Sequence, residues 1–97
     1  MLYAMIAKDA PGSGQLRLDT RPAHLNHLEA LGKKLVFAGA LLDAQDQPEG
    51  SLVVFEAETL EEAHRMAEAD PFVAAGVFGS IEIRRWRLAI NTSGAEL

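Results

Sequence analysis

The sequence predicts an α+β domain built on one antiparallel sheet, and three observations lead to this prediction. Four short segments are rich in apolar residues and are typical of strands. Two longer segments between them carry apolar residues at helical spacing, and each begins with helix-capping residues. The resulting order is strand, helix, strand, strand, helix, strand. With right-handed crossovers this order gives a ferredoxin-like βαββαβ fold, with both helices on one face of the sheet.

The predicted strands carry two further signals. Gly39 inside the second strand predicts a bulge or a close approach of another group to the backbone. In the last strand the apolar positions shift by one residue near Arg84, which predicts a bulge or a strong twist there. The first and third strands are apolar on both faces, so we expect two copies to pack sheet against sheet as a homodimer. The predicted strands cover residues 2–7, 34–39, 51–56 and 80–90.

The first helix is predicted to start at Asp19 or Thr20, either of which can cap it, and to run to about Leu31. Pro22 suits its first turn, and Gly32 is a natural stop. A step of about 100° per residue places the apolar residues and one histidine on the same side. The residues predicted to face inward are Arg21, His24, Leu25, Leu28 and Leu31.

Stretches rich in glycine, proline or small polar residues are predicted to be loops. Residues 9–14 are interpreted as a surface loop or as a mobile flap over a site. Residues 43–50 are predicted to join the second and third strands as a hairpin-type loop. The chain is read as a single domain over residues 1–97, of which residues 91–97 are predicted to be a loose tail.

A capping box predicts the start of the second helix, because Thr59 and Glu62 stand at the required spacing. The helix is expected to end at Asp70, since a proline disfavours helical geometry in the residue before it. Gly76 is expected to close the short turn that follows. The predicted inner face of this helix carries Leu60, Ala63 and Ala67.

Charge and composition argue against several classes of function. The net charge is −5 and the pI is near 5.0, so we expect no nucleic-acid partner, which would need a basic surface. No apolar run is long enough to span a membrane, and the apolar N-terminus lacks a basic leader, so neither a membrane partner nor a signal peptide is expected. Without cysteine there is no disulfide or thiolate chemistry, and a cytoplasmic location is predicted.

Two residues have both a structural and a functional interpretation. Pro71 holds Asp70 in a fixed direction at a helix end, where aspartate is a good N-cap. His24 lies on the apolar side of the first helix, where it could be a hydrogen-bonded histidine of the core. From spacing alone, both alternatives stay open for each residue.

A set of short motifs, in a fixed order along nearly the whole chain, resembles the YCII-related family. The motifs are Arg21-Pro-Ala-His24-Leu, Gly32, Ala38-Gly39, Gly50-Ser51, Glu61-Glu62-Ala63, Asp70-Pro71-Phe72 and Trp86. The resemblance implies a dimeric α/β barrel of ferredoxin-like subunits with a candidate active site. It also implies that a first-helix histidine and the aspartate of the Asp-Pro-Phe motif face each other in a pocket. The matching residues here are His24 and Asp70.

With that pair opposed, the site is interpreted as catalytic. The Asp70 carboxylate would hold one ring nitrogen of His24 and leave the other to take a proton. Arg21 is predicted to bind an anionic group of the substrate, with a salt bridge to a protein carboxylate as the alternative. Ser51 and Phe72 are predicted to contact the substrate, although Ser51 could simply begin a strand.

Two functions are compatible with these residues. The first is a small cofactor-free enzyme that uses His24 and Asp70 for acid–base chemistry on a small organic substrate, in an elimination, isomerisation or dehydrohalogenation. The alternative is a non-catalytic dimeric module that binds a small ligand or is structural. His24 and His27 have a spacing that could suit a metal, but no third ligand stands at a matching position, so no metal site is predicted.

Overall fold

The computed structural model describes residues 1–94 as a four-stranded sheet with three helices. A short 3₁₀ turn, Gly32–Lys34, connects the first helix to the second strand. The elements in chain order are β1 (Leu2–Asp9), α1 (Gly14–Ala30), β2 (Leu35–Leu42), β3 (Pro48–Glu56), α2 (Leu60–Glu68), α3 (Pro71–Ala74) and β4 (Phe78–Arg85).

The sheet has the strand order β2-β3-β1-β4, and every neighbouring pair is antiparallel. Alternate residues of the central strand, Tyr3, Met5 and Ala7, are buried in one core with residues of α1, α2 and α3. Because side chains alternate along a strand, this arrangement places the helices on one face of the sheet. The predicted ferredoxin-like α+β fold is confirmed.

The first helix begins earlier than predicted. α1 starts at Gly14, so residues 14 and 15 are helical and the expected loop is reduced to residues 10–13. Pro22 lies inside the helix, not in its first turn. A proline there removes one hydrogen bond to the carbonyl of Leu18. Both residues are exposed, so water can replace the lost donor.

The inward face of α1 also differs from the prediction. His24 and Leu28 are buried as expected, but Arg21 and Leu25 are exposed. Arg17, which was outside the predicted helix, is buried instead. Because the helix starts earlier, its inward face is longer than predicted. Arg17 lies on this additional part of the face, two helical turns before His24.

The β2–β3 hairpin is longer than predicted, since β2 continues to Leu42 and β3 begins at Pro48. The two register shifts lie between Leu35 and Phe37 and between Leu41 and Leu42, so the bulge predicted at Gly39 is wrong. Gly39 pairs regularly with Leu52. Asp43 turns the chain, because its carboxylate accepts hydrogen bonds from the backbone N–H groups of two residues in the loop that follows it.

The capping box of α2 is confirmed in its main contact. The hydroxyl of Thr59 accepts a hydrogen bond from the backbone N–H of Glu62 at 3.1 Å, and the Glu62 carboxylate accepts one from the N–H of Glu58. On the inner face Ala63 and Ala67 are buried. Leu60 is 49% exposed, so its predicted inward position is wrong.

The last strand is shorter than predicted and ends at Arg85. No bulge lies near Arg84, which pairs regularly with Ala4; the irregularity lies between Lys8 and Asp9 of β1. The apolar shift marks the end of the strand, after which the Trp86 ring meets the edge of Phe37 at 5.9 Å between ring centroids. Residues 91–94 of the predicted tail are exposed, and residues 95–97 lie outside the described residues.

No helix within residues 1–94 is long and apolar enough to cross a membrane.

Candidate active site

Asp70 is placed by the step between α2 and α3. Its backbone is extended (φ −66°, ψ 128°), as expected for a residue before proline, and Pro71 occupies the first turn of α3. One carboxylate oxygen accepts a hydrogen bond from the backbone N–H of Phe72 at 3.0 Å. Asp70 is therefore the N-cap of α3, as its structural interpretation predicted, and this cap fixes the direction of a carboxylate that is only 2% exposed.

The same carboxylate contacts the imidazole of His24. Nδ1 of His24 lies 2.7 Å from Oδ1 and 2.8 Å from Oδ2 of Asp70. An ionised carboxylate can only accept hydrogen bonds, so Nδ1 must carry the proton. The capping and pairing interpretations of Asp70 are thus compatible, since one buried carboxylate makes both contacts.

The other ring nitrogen of His24 is left open. Nε2 has no hydrogen-bond partner among residues 1–94, and no buried side-chain nitrogen or oxygen of that range lacks a partner. Nε2 therefore keeps contact with solvent although the residue as a whole is buried. In the neutral tautomer set by Asp70, this nitrogen holds the lone pair that can accept a proton.

Phe72 fixes the plane of the imidazole. Its ring stacks on that of His24 with centroids 3.9 Å apart and planes 8° from parallel. The guanidinium of Arg17 lies over the same phenyl ring at 4.9 Å. Phe72 therefore contacts both the imidazole and the guanidinium of the site.

Arg17 is a site residue that the sequence analysis missed. Its guanidinium donates to both carboxylate oxygens of Asp9 at 2.7 and 2.9 Å, to the hydroxyl of Ser51 at 2.9 Å and to the carbonyl of Gly50 at 3.2 Å. A Cβ at position 50 would collide with the carbonyl of Ala7, which explains the glycine there. The spacing of positions 17, 21 and 24 could have indicated one helix face, had the helix been extended before residue 19.

A cavity of about 150 Å³ opens between α1 and the inner face of β2 and β3. The small residues Ala38, Gly39 and Ala40 of β2 line this space. Its wall combines aliphatic side chains with polar ones. The lining residues are Arg17, Arg21, His24, Leu25, Leu28, Ala38, Gly39, Ala40, Ser51, Val53 and Phe72.

The structure brings all five predicted site residues together. His24, Arg21, Ser51 and Phe72 line the cavity, and Asp70 lies behind the imidazole as its partner. His27 is half-buried and lines a different, smaller cavity, while His64 is exposed on α2. Among residues 1–94 no group of three or more His, Asp or Glu side chains is arranged to hold a metal ion.

The model of the YCII-related domain family matches residues 1–87 of this chain. The chain belongs to this family. It is 39% identical to protein YciI of Escherichia coli O6:H1 over 95 residues, covering 90% of this chain and 97% of the relative. An uncharacterized protein of Haemophilus influenzae is 32% identical over the same shares of the two chains.

A solved structure is similar over the whole fold. The 5-chloro-2-hydroxyhydroquinone dehydrochlorinase TftG of Burkholderia phenoliruptrix AC1100, in complex with 2,5-dihydroxybenzoquinone, superposes with a TM-score of 0.85 and 38% identity. The match covers 92% of this chain and 96% of that one.

Proposed function

We propose that this protein is a small enzyme that removes HCl, or a comparable pair of groups, from a small oxygenated ring compound. The observation that carries the proposal is the buried His24–Asp70 pair, with Nδ1 engaged by the carboxylate and Nε2 open to solvent. A base held in one tautomer and one orientation loses little freedom when it takes a proton. The Asp70 charge stabilises the imidazolium that forms.

The dehydrochlorinase relative supports this class of reaction. That protein acts on 5-chloro-2-hydroxyhydroquinone and shares 38% of its residues with this chain. In such an elimination, a base removes a proton and the electron pair left behind forms a new π bond. Chloride departs with the electron pair of the C–Cl bond. HCl thus leaves as a proton on Nε2 of His24 and a free chloride ion, and the reaction needs no electron acceptor.

Chloride release tests the proposal. The protein is incubated with 5-chloro-2-hydroxyhydroquinone under nitrogen, since hydroquinones oxidise in air, and free chloride is measured over time. We expect release well above the rate in buffer. His24→Gln should lower kcat/KM by about 100-fold or more, because general base catalysis contributes on this scale.

His64→Gln is the matched control, since His64 is exposed on α2 and should be replaceable without loss. A rate equal to that in buffer would reject the dehydrochlorinase proposal and favour a small-ligand-binding module. Equal losses in the two histidine variants would show that His24 is not the base.

We also propose that the protein is a homodimer that associates through the sheet face opposite the helices. Ile6 and Phe37 are each 40% exposed on that face, and Leu41 is 38% exposed. Light scattering at micromolar protein should give twice the 10.5 kDa chain mass. Ile6→Lys should reduce it to one chain mass, whereas Leu18→Lys, on the outer side of α1, should not. A single chain mass for the unmodified protein would reject this dimer. The predicted cytoplasmic location stays a prediction.

A further inference from the structure

We propose that the N-terminus of α1 binds a phosphate group, in a cleft separate from the His24 cavity. This cleft is open and has a volume of about 430 Å³. It lies where the loop of residues 10–13 leads into α1, beside the start of β3. Among residues 1–94 the cleft and the His24 cavity share no lining residue, so the proposal does not depend on the proposed dehydrochlorination.

Three backbone N–H groups at the start of α1 are free to bind an anion. The turn before the helix is closed by a hydrogen bond from the N–H of Ser13 to the carbonyl of Ala10 at 3.2 Å, and the first helical bond runs from the N–H of Arg17 to the carbonyl of Ser13 at 2.8 Å. The N–H groups of residues 14–16 lie between these two bonds and have no acceptor within the described range. No acidic residue stands in the first turn to compensate the positive end of the helix dipole.

The side chain of Ser13 indicates a ligand independently of the helix end. Ser13 is only 7% exposed, yet its hydroxyl makes no hydrogen bond with any of residues 1–94. An N-cap serine usually accepts a hydrogen bond from the first turn of its helix, but none forms with the backbone at φ −89° and ψ 6°. No fully buried side-chain oxygen in the described part of the chain lacks a partner, so the hydroxyl keeps contact with the cleft that Ser13 lines. There it can donate to an anion.

The cleft leaves room for a phosphate group to reach these donors. A Cβ at Gly12 or Gly14 would meet no atom within 4 Å, so the backbone is uncovered at both positions. Three N–H groups and a hydroxyl exceed what the two oxygens of a carboxylate need, whereas the three terminal oxygens of a phosphate group can accept from all of them. Leu41 also lines the cleft and belongs to the sheet face proposed to pack in the dimer, but every donor lies on α1 or the loop before it.

The charged side chains around the cleft nearly cancel. Lys8 and Glu49 are both exposed and line it with opposite charges. Asp9 is neutralised by Arg17, whose guanidinium donates to both of its carboxylate oxygens. Most of the binding free energy must therefore come from the N–H groups and the Ser13 hydroxyl, with Lys8 in favour of binding and Glu49 against it.

Titration with inorganic phosphate, followed in ¹H–¹⁵N correlation spectra of the unmodified protein, tests the proposal. We expect saturable shifts in the backbone N–H signals of residues 14–16, because these groups would donate to the anion. Sodium chloride at the same ionic strength should not reproduce the shifts. Phenyl phosphate distinguishes two sources of the group: tighter binding than inorganic phosphate indicates an organic phosphate ester, and equal or weaker binding indicates the free ion.

Gly14→Asp places a carboxylate in the first turn of α1 and should abolish phosphate binding. The variant should not unfold at lower urea than the unmodified protein, because an acidic residue suits a helix N-terminus, glycine does not favour a helix, and the new side chain has open space. Gly14→Asn is the matched control. It has the same shape without the charge and should still bind phosphate.

Substitutions of side chains around the cleft should change the affinity in opposite directions. Ser13→Ala should weaken phosphate binding by about tenfold, since it removes a hydrogen bond to a charged group. Lys8→Gln should weaken it by about two- to fivefold, and Glu49→Gln should strengthen it by a similar factor, because both charges are exposed. Lys33→Gln, which removes an exposed lysine beyond the other end of α1, should leave the affinity unchanged.

Several results would overturn the proposal. One is the absence of saturable shifts with both phosphate compounds, and another is shifts of the same size in sodium chloride. Unchanged binding in Gly14→Asp and in Ser13→Ala would place the phosphate elsewhere on the protein. Equal losses in Gly14→Asp and Gly14→Asn would show that charge at the helix end does not decide binding, and would also overturn it.

Discussion

Replacing Arg17 by methionine is expected to lower the free energy of unfolding by about 3–5 kcal/mol, the usual cost of removing one partner of a buried ion pair. The Asp9 carboxylate would lose both hydrogen bonds from the guanidinium while its side chain is only 9% exposed. The hydroxyl of Ser51 would lose its donor, and the ring of Phe72 would lose the cation above it. A small domain has only about 5–15 kcal/mol of stability in total, so this loss is large.

Urea unfolding followed by circular dichroism measures the effect. Arg65→Met is the control, since this arginine is exposed on α2 and its loss should change stability by less than about 0.5 kcal/mol. The double variant Asp9→Asn with Arg17→Met should recover part of the lost stability, because it leaves no unpaired buried charge. If Arg17→Met were no less stable than Arg65→Met, the ion pair between Arg17 and Asp9 would not stabilise the packing of α1 against the end of β1.

Replacing Asp70 by asparagine is expected to lower kcat/KM for chloride release by about 100- to 10,000-fold, the range reported when the carboxylate behind a catalytic histidine is removed or a general base is lost. Asparagine keeps the shape and one oxygen that can still cap α3. It lacks the charge that stabilises imidazolium, and it can turn its NH₂ group towards the ring. His24 would then no longer be held with Nε2 free.

The losses of kcat/KM caused by substituting His24 and Asp70 should not be additive. The double variant His24→Gln with Asp70→Asn should be no slower than the worse of the two single variants, because the carboxylate acts only through the imidazole. Losses that multiply would instead mean that Asp70 contributes by a separate route. Glu68→Gln, an exposed acidic residue at the end of α2, controls for the general loss of negative charge.

Much of the site could be predicted from the sequence, because its anchors are local. An Asp-Pro pair favours an extended residue followed by the start of a helix. These two residues alone therefore predicted that Asp70 lies at a helix N-terminus. His24 lies on the apolar stripe of α1 whether the helix begins at residue 14 or 20. The meeting of the two residues across the fold required the family resemblance, since no local rule brings α1 to α3.

The role of Arg17 could not be predicted, for a physical reason. Pro11, Gly12 and Gly14 favour a loop, and Pro22 is typical of a first turn, so local rules place the helix start after residue 17. Tertiary contacts decide otherwise, because burying the ion pair to Asp9 holds the additional turns of α1 against the sheet. Local rules assign the residues around Arg17 to a loop, and they do not take into account that a charged residue can be buried in a tertiary ion pair.

The end of β4 was missed for a related reason. Apolar residues continue beyond Arg85, and an alternating pattern alone cannot distinguish a strand from a segment that contacts the sheet by its side chains. Trp86 retains one backbone hydrogen bond to Leu2 and then contacts Phe37 with its ring. The shift in apolar phase was real, but it marked a strand end and not a bulge.

The tautomer of His24 is the most direct test of the proposal that Asp70 holds the imidazole with Nε2 free as a base. It can be measured without any substrate, from long-range ¹H–¹⁵N correlation spectra of protein labelled with ¹⁵N in histidine. The spectra are recorded at a pH high enough for the ring to be neutral. We expect His24 to have its proton on Nδ1 and an unprotonated Nε2, and we expect this preference to be lost in Asp70→Asn. A neutral His24 with its proton on Nε2, or the same tautomer in both proteins, would contradict the proposed role of the pair.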